Sequence, residues 1–391
     1  MGDSEFDLIE ELRESSEFFR YGSLQELVKG IGDDAAVVEQ TAGLDTVISA
    51  DLLVEGIDFK LTDDVDACAY VLGLRAVAVS LSDVAAMGAR PRWLLLSIGV
   101  PQKLWEQGFA RALSATASLY AQLNQVTLVG GDISRTPEHV VIDSIVVGDV
   151  EHGRAVLRSG AKPGDQIYVT GFLGGAAHTL RDAGRQSWYV PNSRRGAPKN
   201  RFFADLDKIH EMLTRASVGR RKPNVRQTKK SGAPFSSAHS AADEMAAWFE
   251  RRAPIPQPRV RFGSIIGSRR LATAMIDISD GLSSDLAHIC RESGVGARIE
   301  AESLPLDPLL KFARLKKADA LALALHGGED FELLFTVRPR RAKEVEKLGG
   351  EVPVTRIGEI TNDAGRIELI DGRSKRILKP AGFEHFKRSR R

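Results

Sequence analysis

The sequence predicts an α/β chain folded as two domains. Three observations carry that expectation. The chain has 391 residues, more than a single hydrophobic core usually organises. Short β-branched runs alternate with longer stretches of helical period. The alternation pauses near Val150, and the turn-rich string Arg158-Ser159-Gly160-Ala161-Lys162-Pro163-Gly164-Asp165 then opens a second series. Hydrophobic residues at 43% and charged residues at 27% are ordinary for a globular protein and exclude a disordered or fibrous class.

Each element follows from local pattern. Phe6 to Phe19 has apolar helical spacing with acids early. Ala35–Val38 and Thr46–Ala50 read as short strands around a turn. Asp66 to Gly88 reads as a long helix, Trp93–Val100 as a buried strand closed by Pro101, and Trp105–Leu123 as a helix. Val126–Val129 is a strand ended by Gly130 and Gly131, and Val140–Val147 another. Past residue 150, the strand Gln166–Thr170 leads through Gly174 and Gly175 into a helix. Leu271–Ile276 is a strand, Ser283–Ser293 a helix, Phe331–Val337 a strand and Lys343–Leu348 a helix, and Arg356–Leu378 alternates like a hairpin. The expected domains are 1–150 and 151–391, the second interrupted at about 182–256 by a segment rich in Pro, Arg, Lys and Ser without sustained period.

The net charge of +2 hides an asymmetry. Arg185 to Lys230 holds thirteen Lys or Arg against three Asp or Glu, which leaves the remainder of the chain at −8. Two cysteines, Cys68 and Cys290, make neither a disulfide framework nor a cysteine zinc site, and suit buried thiols in a reducing cytoplasm. The acidic start Met1-Gly2-Asp3-Ser4-Glu5 lacks the apolar core of a signal peptide. The stretch Ala67–Ala89 is apolar but broken by Arg75, Ser80, Ser82 and Asp83, which favours a buried helix over a membrane span.

The chemistry lies in seven aspartates: Asp33 and Asp34 in Gly30-Ile31-Gly32-Asp33-Asp34, Asp51 after Ser49-Ala50, Asp83 after Leu81-Ser82, Asp132 after Gly130-Gly131, and Asp277 and Asp280 in Asp277-Ile278-Ser279-Asp280-Gly281. Carboxylates at strand ends and glycine turns need neutralising, and Mg²⁺ with a polyphosphate does so: the hard cation takes one or two carboxylates per ion and keeps phosphate oxygens and water. Asp83 is the sharpest case, since an unpaired charge inside an apolar helix is costly. Arg75, two helical turns away, is the alternative partner. Asp51 and Asp280 also suit helix N-caps, and Gly130-Gly131 a plain turn. The glycine string at Gly30 lacks the strand-then-helix setting of a dinucleotide fingerprint, and a Walker A sequence is absent. The eight histidines show no metal-ligand spacing.

Taken in order, these strings resemble the thiamine-monophosphate kinase family of the aminoimidazole-ribonucleotide-synthetase-like ATP-dependent superfamily. The resemblance runs through Gly30–Asp34, Leu81-Ser82-Asp83-Val84-Ala85-Ala86-Met87-Gly88-Ala89, Gly130-Gly131-Asp132, Arg158–Asp165, Asp277–Leu286, Gly327-Gly328-Glu329-Asp330-Phe331-Glu332-Leu333 and Gly382-Phe383-Glu384-His385-Phe386. It covers the chain outside about 182–256. It implies a mixed-sheet N-terminal domain that forms a dimer interface, a C-terminal α/β domain, and transfer of the ATP γ-phosphoryl group to thiamine monophosphate, the last step of thiamine diphosphate synthesis. It implies a cytoplasmic homodimer with several Mg²⁺ ions and no membrane partner. By motif, Asp34, Ser49, Ala50, Asp51, Asp83, Asp132, Asp277 and Asp280 would hold metal. Gly131, Asp132, Arg158 and Ser279 would contact ATP, and Asp58, Glu329 and Phe383 the acceptor. No acid or base is implied, because a phosphate acceptor is already anionic and phosphoryl transfer runs on positioning and charge neutralisation.

Three positions depart from the family pattern. Asp58 stands where a substrate-contacting histidine is usual, Ser80 where Asn is common and Ala50 where Thr is common. The alternatives are another ATP-dependent member of the superfamily, of the purine-pathway cyclo-ligase type, and an added nucleic-acid role for the basic insert, which carries no recognisable binding module.

Overall fold

The computed structural model describes residues 41–182, 256–348 and 352–383, together with the backbone of three short strands, β1 (Leu27–Lys29), β2 (Val37–Val38) and β9 (Trp188–Tyr189). The expected helix at Phe6–Phe19, Asp33, Asp34 and most of the basic insert lie outside the described residues.

The first layer is a four-stranded sheet in the order β3 (Leu44–Val54), β7 (Val141–Glu151), β5 (Arg90–Pro101), β6 (Thr127–Thr136). Pairing is antiparallel except between β5 and β6. The strands alternate, so Ser49, Asp51, Leu53, Ile142, Ser144 and Val146 face one side, where helices α1 (Val65–Ala86) and α3 (Phe109–Leu123) close the core. A five-residue helix, α2 (Gln102–Glu106), precedes α3; Gly108, at φ 77, separates what the sequence reads as one helix from Trp105. The two-residue strand β4 (Phe59–Lys60) pairs in parallel with β9.

Helix α1 has the length and hydropathy to cross a membrane, the only such helix among the described residues. It is instead wrapped by protein: β3, β5 and β7 on one side, α3 on another, and α5 (Val260–Ser268) near its end. Gly263 of α5 lies so close to the Ala85 carbonyl that a Cβ there would stand 2.2 Å from the oxygen. The sequence pattern predicts no helix at 260–268, because the apolar run there is short and follows a polar stretch.

The second layer is a seven-stranded sheet, β10 (Ala272–Asp277), β12 (Leu333–Val337), β8 (Gln166–Thr170), β13 (Val354–Thr361), β11 (Gly296–Glu300), β14 (Ile367–Asp371), β15 (Ser374–Ile377). Helix α6 (Leu282–Ser293) and α8 (Lys317–His326) contribute to the core on one face. The other core joins Tyr168, Phe335 and Leu333 to Phe262 and Ile266 of α5 and to Ala85 and Ala86 of α1. Helix α4 (Gly175–Asp182), α7 (Pro308–Phe312) and α9 (Ala342–Glu346) lie at the periphery. The expected hairpin over Arg356–Leu378 is found only as β14–β15; β11 inserts between β13 and β14 and pairs with both. Alternation reveals a strand's faces but not its neighbours.

Helix α1 is thus the shared wall of both layers. Residues from its last four turns face the four-stranded sheet on one side and the second sheet's edge on the other.

Candidate active site

Helix α1 carries a row of polar groups in its buried interior. Ser80 donates to Asp51 on β3 at 2.8 Å and lies 2.7 Å from the Ser144 hydroxyl on β7. Ser49 on β3 donates to Asp83. Ser82 donates at 2.7 Å to Asp277, the last residue of β10 in the other layer. Three carboxylates from three elements, Asp51, Asp83 and Asp277, are therefore gathered around the end of one helix, each held by a hydroxyl.

Their electrostatics record the crowding. Burial, then the nearby Asp83, raises Asp51 to about 6. Burial, then Asp83 and Asp51, raises Asp277 to about 7. Asp83 is raised by burial, against the lowering pull of Ser49 and of Arg158. Desolvation and like charge both disfavour ionised acids, and a divalent cation relieves both. The donors are all hard oxygens, the set that Mg²⁺ takes. The residues present fit that metal.

Tighter geometry is found next door. Among the described residues, the set whose ligating atoms all lie within 4.8 Å of one another is Asp280, Asp285 and His288 at the start of α6. Asp51, Asp83 and Asp277 do not close to that distance as a trio, so the acids lie near one another without forming a single-ion cage. Burial, followed by Asp277 and Asp280, raises Asp285 to about 8, and its carboxylate accepts from the Gly281 N–H at 3.0 Å. Neither Asp285 nor His288 is a sequence-level candidate: Asp285 reads as a helix-start acid, and eight scattered histidines give His288 no signal. Arg158 lies close enough to act on both Asp83 and His288. Its carbonyl accepts from Ser293 at the end of α6, at 3.1 Å.

Two of the residues expected to contact the acceptor, Glu329 and Phe383, hang on the turn between Asp277 and α6. Glu329 donates its N–H to the Ser279 carbonyl at 2.8 Å, and Phe383 to the Asp280 carbonyl at 3.1 Å. The tail that carries Phe383 is clamped to α6: Ala381 N–H reaches Ser283 at 3.3 Å and Gly382 N–H reaches Ser284 at 3.0 Å. Phe383 is 49% exposed. Glu329 and Phe331 both have left-handed backbones, φ 75 and 48, which cost non-glycine residues on the order of 1 kcal/mol each. Arg75 of α1, buried, reaches across to this turn and pairs with Glu329. It is not a partner of Asp83, the pairing left open by the sequence.

Other candidates are placed elsewhere. Asp132 is exposed and sits in a cross-strand row with Ser97, Asp143 and Leu52, on the sheet face opposite Asp51. Gly131 does not end the strand: β6 runs on to Thr136, and the glycine is needed because a Cβ would stand 1.9 Å from the Leu96 carbonyl oxygen. The Ala50 side chain faces that same outer side. The Asp58 carboxylate accepts from the Val54 N–H at 2.8 Å within the turn after β3. Asp34 lies outside the described residues.

Comparison with known proteins places this geometry in a lineage. Residues 32–150 match the profile of AIR synthase related protein, N-terminal domain, and residues 236–370 that of its C-terminal domain. The chain is 33% identical to the thiamine-monophosphate kinase of Escherichia coli (strain K12), with 91% of each chain covered, and 32% identical to that of Haemophilus influenzae, with 100% of each covered. The chain belongs to the thiamine-monophosphate kinase family. Among solved structures, the family's enzyme from Stenotrophomonas maltophilia K279a is 30% identical with a TM-score of 0.67, covering 94% of this chain and 96% of that one. The structure of AaThiL complexed with AMPPCP and TMP is 27% identical with a TM-score of 0.61, covering 98% and 97%. Hydrogenase maturation protein HypE from E. coli, at 16% identity and a TM-score of 0.61, shares the fold.

Proposed function

We propose that this chain catalyses attack by a phosphate oxygen of thiamine monophosphate on the γ-phosphorus of ATP, forming thiamine diphosphate and releasing ADP as the bond to the β-phosphate oxygen breaks. The observation that carries this reading is the hanging of Glu329 and Phe383 on the Ser279–Asp280 turn, directly after Asp277 of the acid group. That arrangement sets an acid and an aromatic ring, suited to a cationic thiazolium, beside carboxylates suited to a metal-bound polyphosphate.

Mg²⁺, when bound, supplies neutralisation of the triphosphate charge. We assign it to Asp34, Ser49, Ala50, Asp51, Asp83, Asp132, Asp277 and Asp280, and the spread of the acids supports more than one ion. Ser49, Ser80 and Ser82 fix the orientation of the three buried carboxylates. Arg158, Gly131, Asp132 and Ser279 are assigned to ATP; the guanidinium suits a phosphate oxygen. Asp58, Glu329 and Phe383 are assigned to the acceptor. No residue needs to move a proton, and the chain's work is to hold two anions in line.

We further propose that residues 1–150 carry most of the metal site and pair with a second copy, and that residues 151–391 supply the acceptor site. The pairing is supported by the bare outer face of the four-stranded sheet, where Ile48 is 67% and Leu52 57% exposed on edge strand β3. The cytoplasm, which supplies ATP and keeps the buried thiols Cys68 and Cys290 reduced, is the proposed compartment. The test is ADP release with thiamine monophosphate, ATP and Mg²⁺. One thiamine diphosphate per ADP is expected. ADP release that ignores the acceptor would sink the proposal.

A further inference from the structure

We infer that Arg75 is a positioning residue for the acceptor: from helix α1 it holds the Glu329 carboxylate that the proposed reaction uses, and so sets affinity for thiamine monophosphate more than affinity for ATP. The inference rests on the function proposed above.

Arg75 and Ser82 are seven residues apart, two helical turns, and therefore lie on one stripe of α1. Both cross to the second layer. Ser82 takes Asp277 at the end of β10, and Arg75 takes Glu329 in the turn before β12. One stripe of one helix thus indexes a metal-site acid and an acceptor-site acid against the same ruler.

The turn that bears Glu329 needs such a hold. Two of its three residues from Glu329 to Phe331 are non-glycine with left-handed backbone. From its own layer the turn is fixed through the main chain, by Glu329 N–H to Ser279, Phe331 N–H to Ile278 and Ile278 N–H to Glu332 at 2.7 to 2.8 Å. Those bonds fix the backbone and do not set the rotamer of the Glu329 side chain. Arg75 adds the side-chain constraint: one guanidinium nitrogen takes Oε2 of Glu329, and the same guanidinium lies 5.8 Å from the centroid of the Phe331 ring. A planar group that pairs with a carboxylate and sits over a ring defines a direction, which a methyl-capped side chain does not. With Oε2 held, the direction in which Glu329 meets a substrate amine or thiazolium is set before binding.

The experiment compares wild type, Arg75→Met, Arg75→Lys, Glu329→Gln and the double variant Arg75→Met/Glu329→Gln in the full chain with Mg²⁺. KM for each substrate, kcat and melting temperature are read for each. Arg75→Met is expected to raise KM for thiamine monophosphate about 10- to 100-fold, the range lost with a charge-assisted hydrogen bond. KM for ATP is expected to rise by much less, because Arg75 acts on Asp51 through charge and on Glu329 through a direct bond. Arg75→Lys, which keeps the charge but not the planar group, is expected to recover only part of the loss. The double variant is expected to be no worse than Glu329→Gln alone, because Arg75 acts through Glu329. Equal rises in both KM values, or multiplying losses in the double variant, would overturn the inference and leave Arg75 as a fold-stabilising residue. If Arg75→Met does not fold, the decision falls to Arg75→Lys combined with Glu329→Gln, where multiplying losses again overturn it. Wild-type protein without acceptor-dependent ADP release overturns the functional reading and this inference together, whereas active wild type with an unchanged acceptor KM in a folded Arg75→Met overturns the inference alone.

Discussion

The Ser82 hydroxyl donates to the Asp277 carboxylate at 2.7 Å across 195 positions of sequence, from α1 of one layer to the end of β10 in the other. Asp277 is buried beside other acids, and this hydroxyl is the partner that pulls its pKa down against them. Ser82→Ala leaves a buried carboxylate short of its donor, a change that costs about 1–3 kcal/mol. The expected result is a lower urea midpoint with unchanged slope in EDTA, together with a higher Mg²⁺ concentration for half-maximal turnover. An unchanged midpoint and Mg²⁺ response would mean that the two layers are held in register by apolar contacts alone.

Asp330 offers a pH test away from Asp51, Asp83 and Asp277. It accepts from the Gly174 N–H at 2.9 Å, at the start of α4, and burial pushes its pKa well above the ordinary carboxylate value despite that bond. A carboxyl raised in the folded state stabilises it fully at pH below the unfolded value, and the contribution is lost as pH rises through the folded value. Asp330→Asn keeps an acceptor for Gly174 and removes the titration. The variant is expected to gain on wild type as pH rises from about 5 to about 9, by up to about 1.4 kcal/mol per pH unit between the unfolded and folded values. Parallel stability curves for the two proteins would show that Asp330 stays ionised in the fold.

Much of the fold can be read from the chain because its periods are clean. Val65–Ala86 is apolar nearly all round and so has to be an interior helix, β3 and β7 alternate in burial along most of their length, and β5 reads as a largely buried run. What the sequence hides is pairing at a distance. Gly130-Gly131 looks like a turn; it is a strand passing close to Leu96, and the strand's continuation turns Asp132 to the outer face. Arg75 looks like company for Asp83 on the same helix; its partner is Glu329, 254 positions away. The acids themselves stand out in the sequence, since a carboxylate such as Asp83 inside an apolar helix is costly unless it is paired or neutralised. Which hydroxyl serves which acid depends on how two sheets pack against one helix, and no local pattern records that.

Asp132 tests whether an exposed acid can be indispensable. Asp132 is exposed, so Asp132→Asn should leave stability within about 0.5 kcal/mol of wild type. Turnover should fall at least about 100-fold if the assigned metal and ATP contacts are made there. Wild-type turnover in the variant would take Asp132 out of the site and confine the chemistry to the inner face, with Asp51, Asp83 and Asp277.

Arg259 supplies the strongest stability prediction. It sits just before α5, and its guanidinium grips the buried Glu332 with both ends, Nε at 2.7 Å from Oε2 and a second nitrogen on Oε1. Thr170 of β8 donates to Oε2 of the same carboxylate at 2.6 Å and accepts the Leu333 N–H at 2.8 Å. The network therefore ties α5 to β8 and β12, and through α5 to the end of α1. Removing one partner of a buried ion pair strands the other, and the loss runs to about 3–5 kcal/mol. Arg259→Leu is expected to lose that much in urea unfolding, while the paired change Arg259→Leu/Glu332→Leu recovers a large part, because no charge is then left buried. If the double variant is as unstable as the single one, the cost lies in the shape of the junction around α5 and not in the stranded carboxylate.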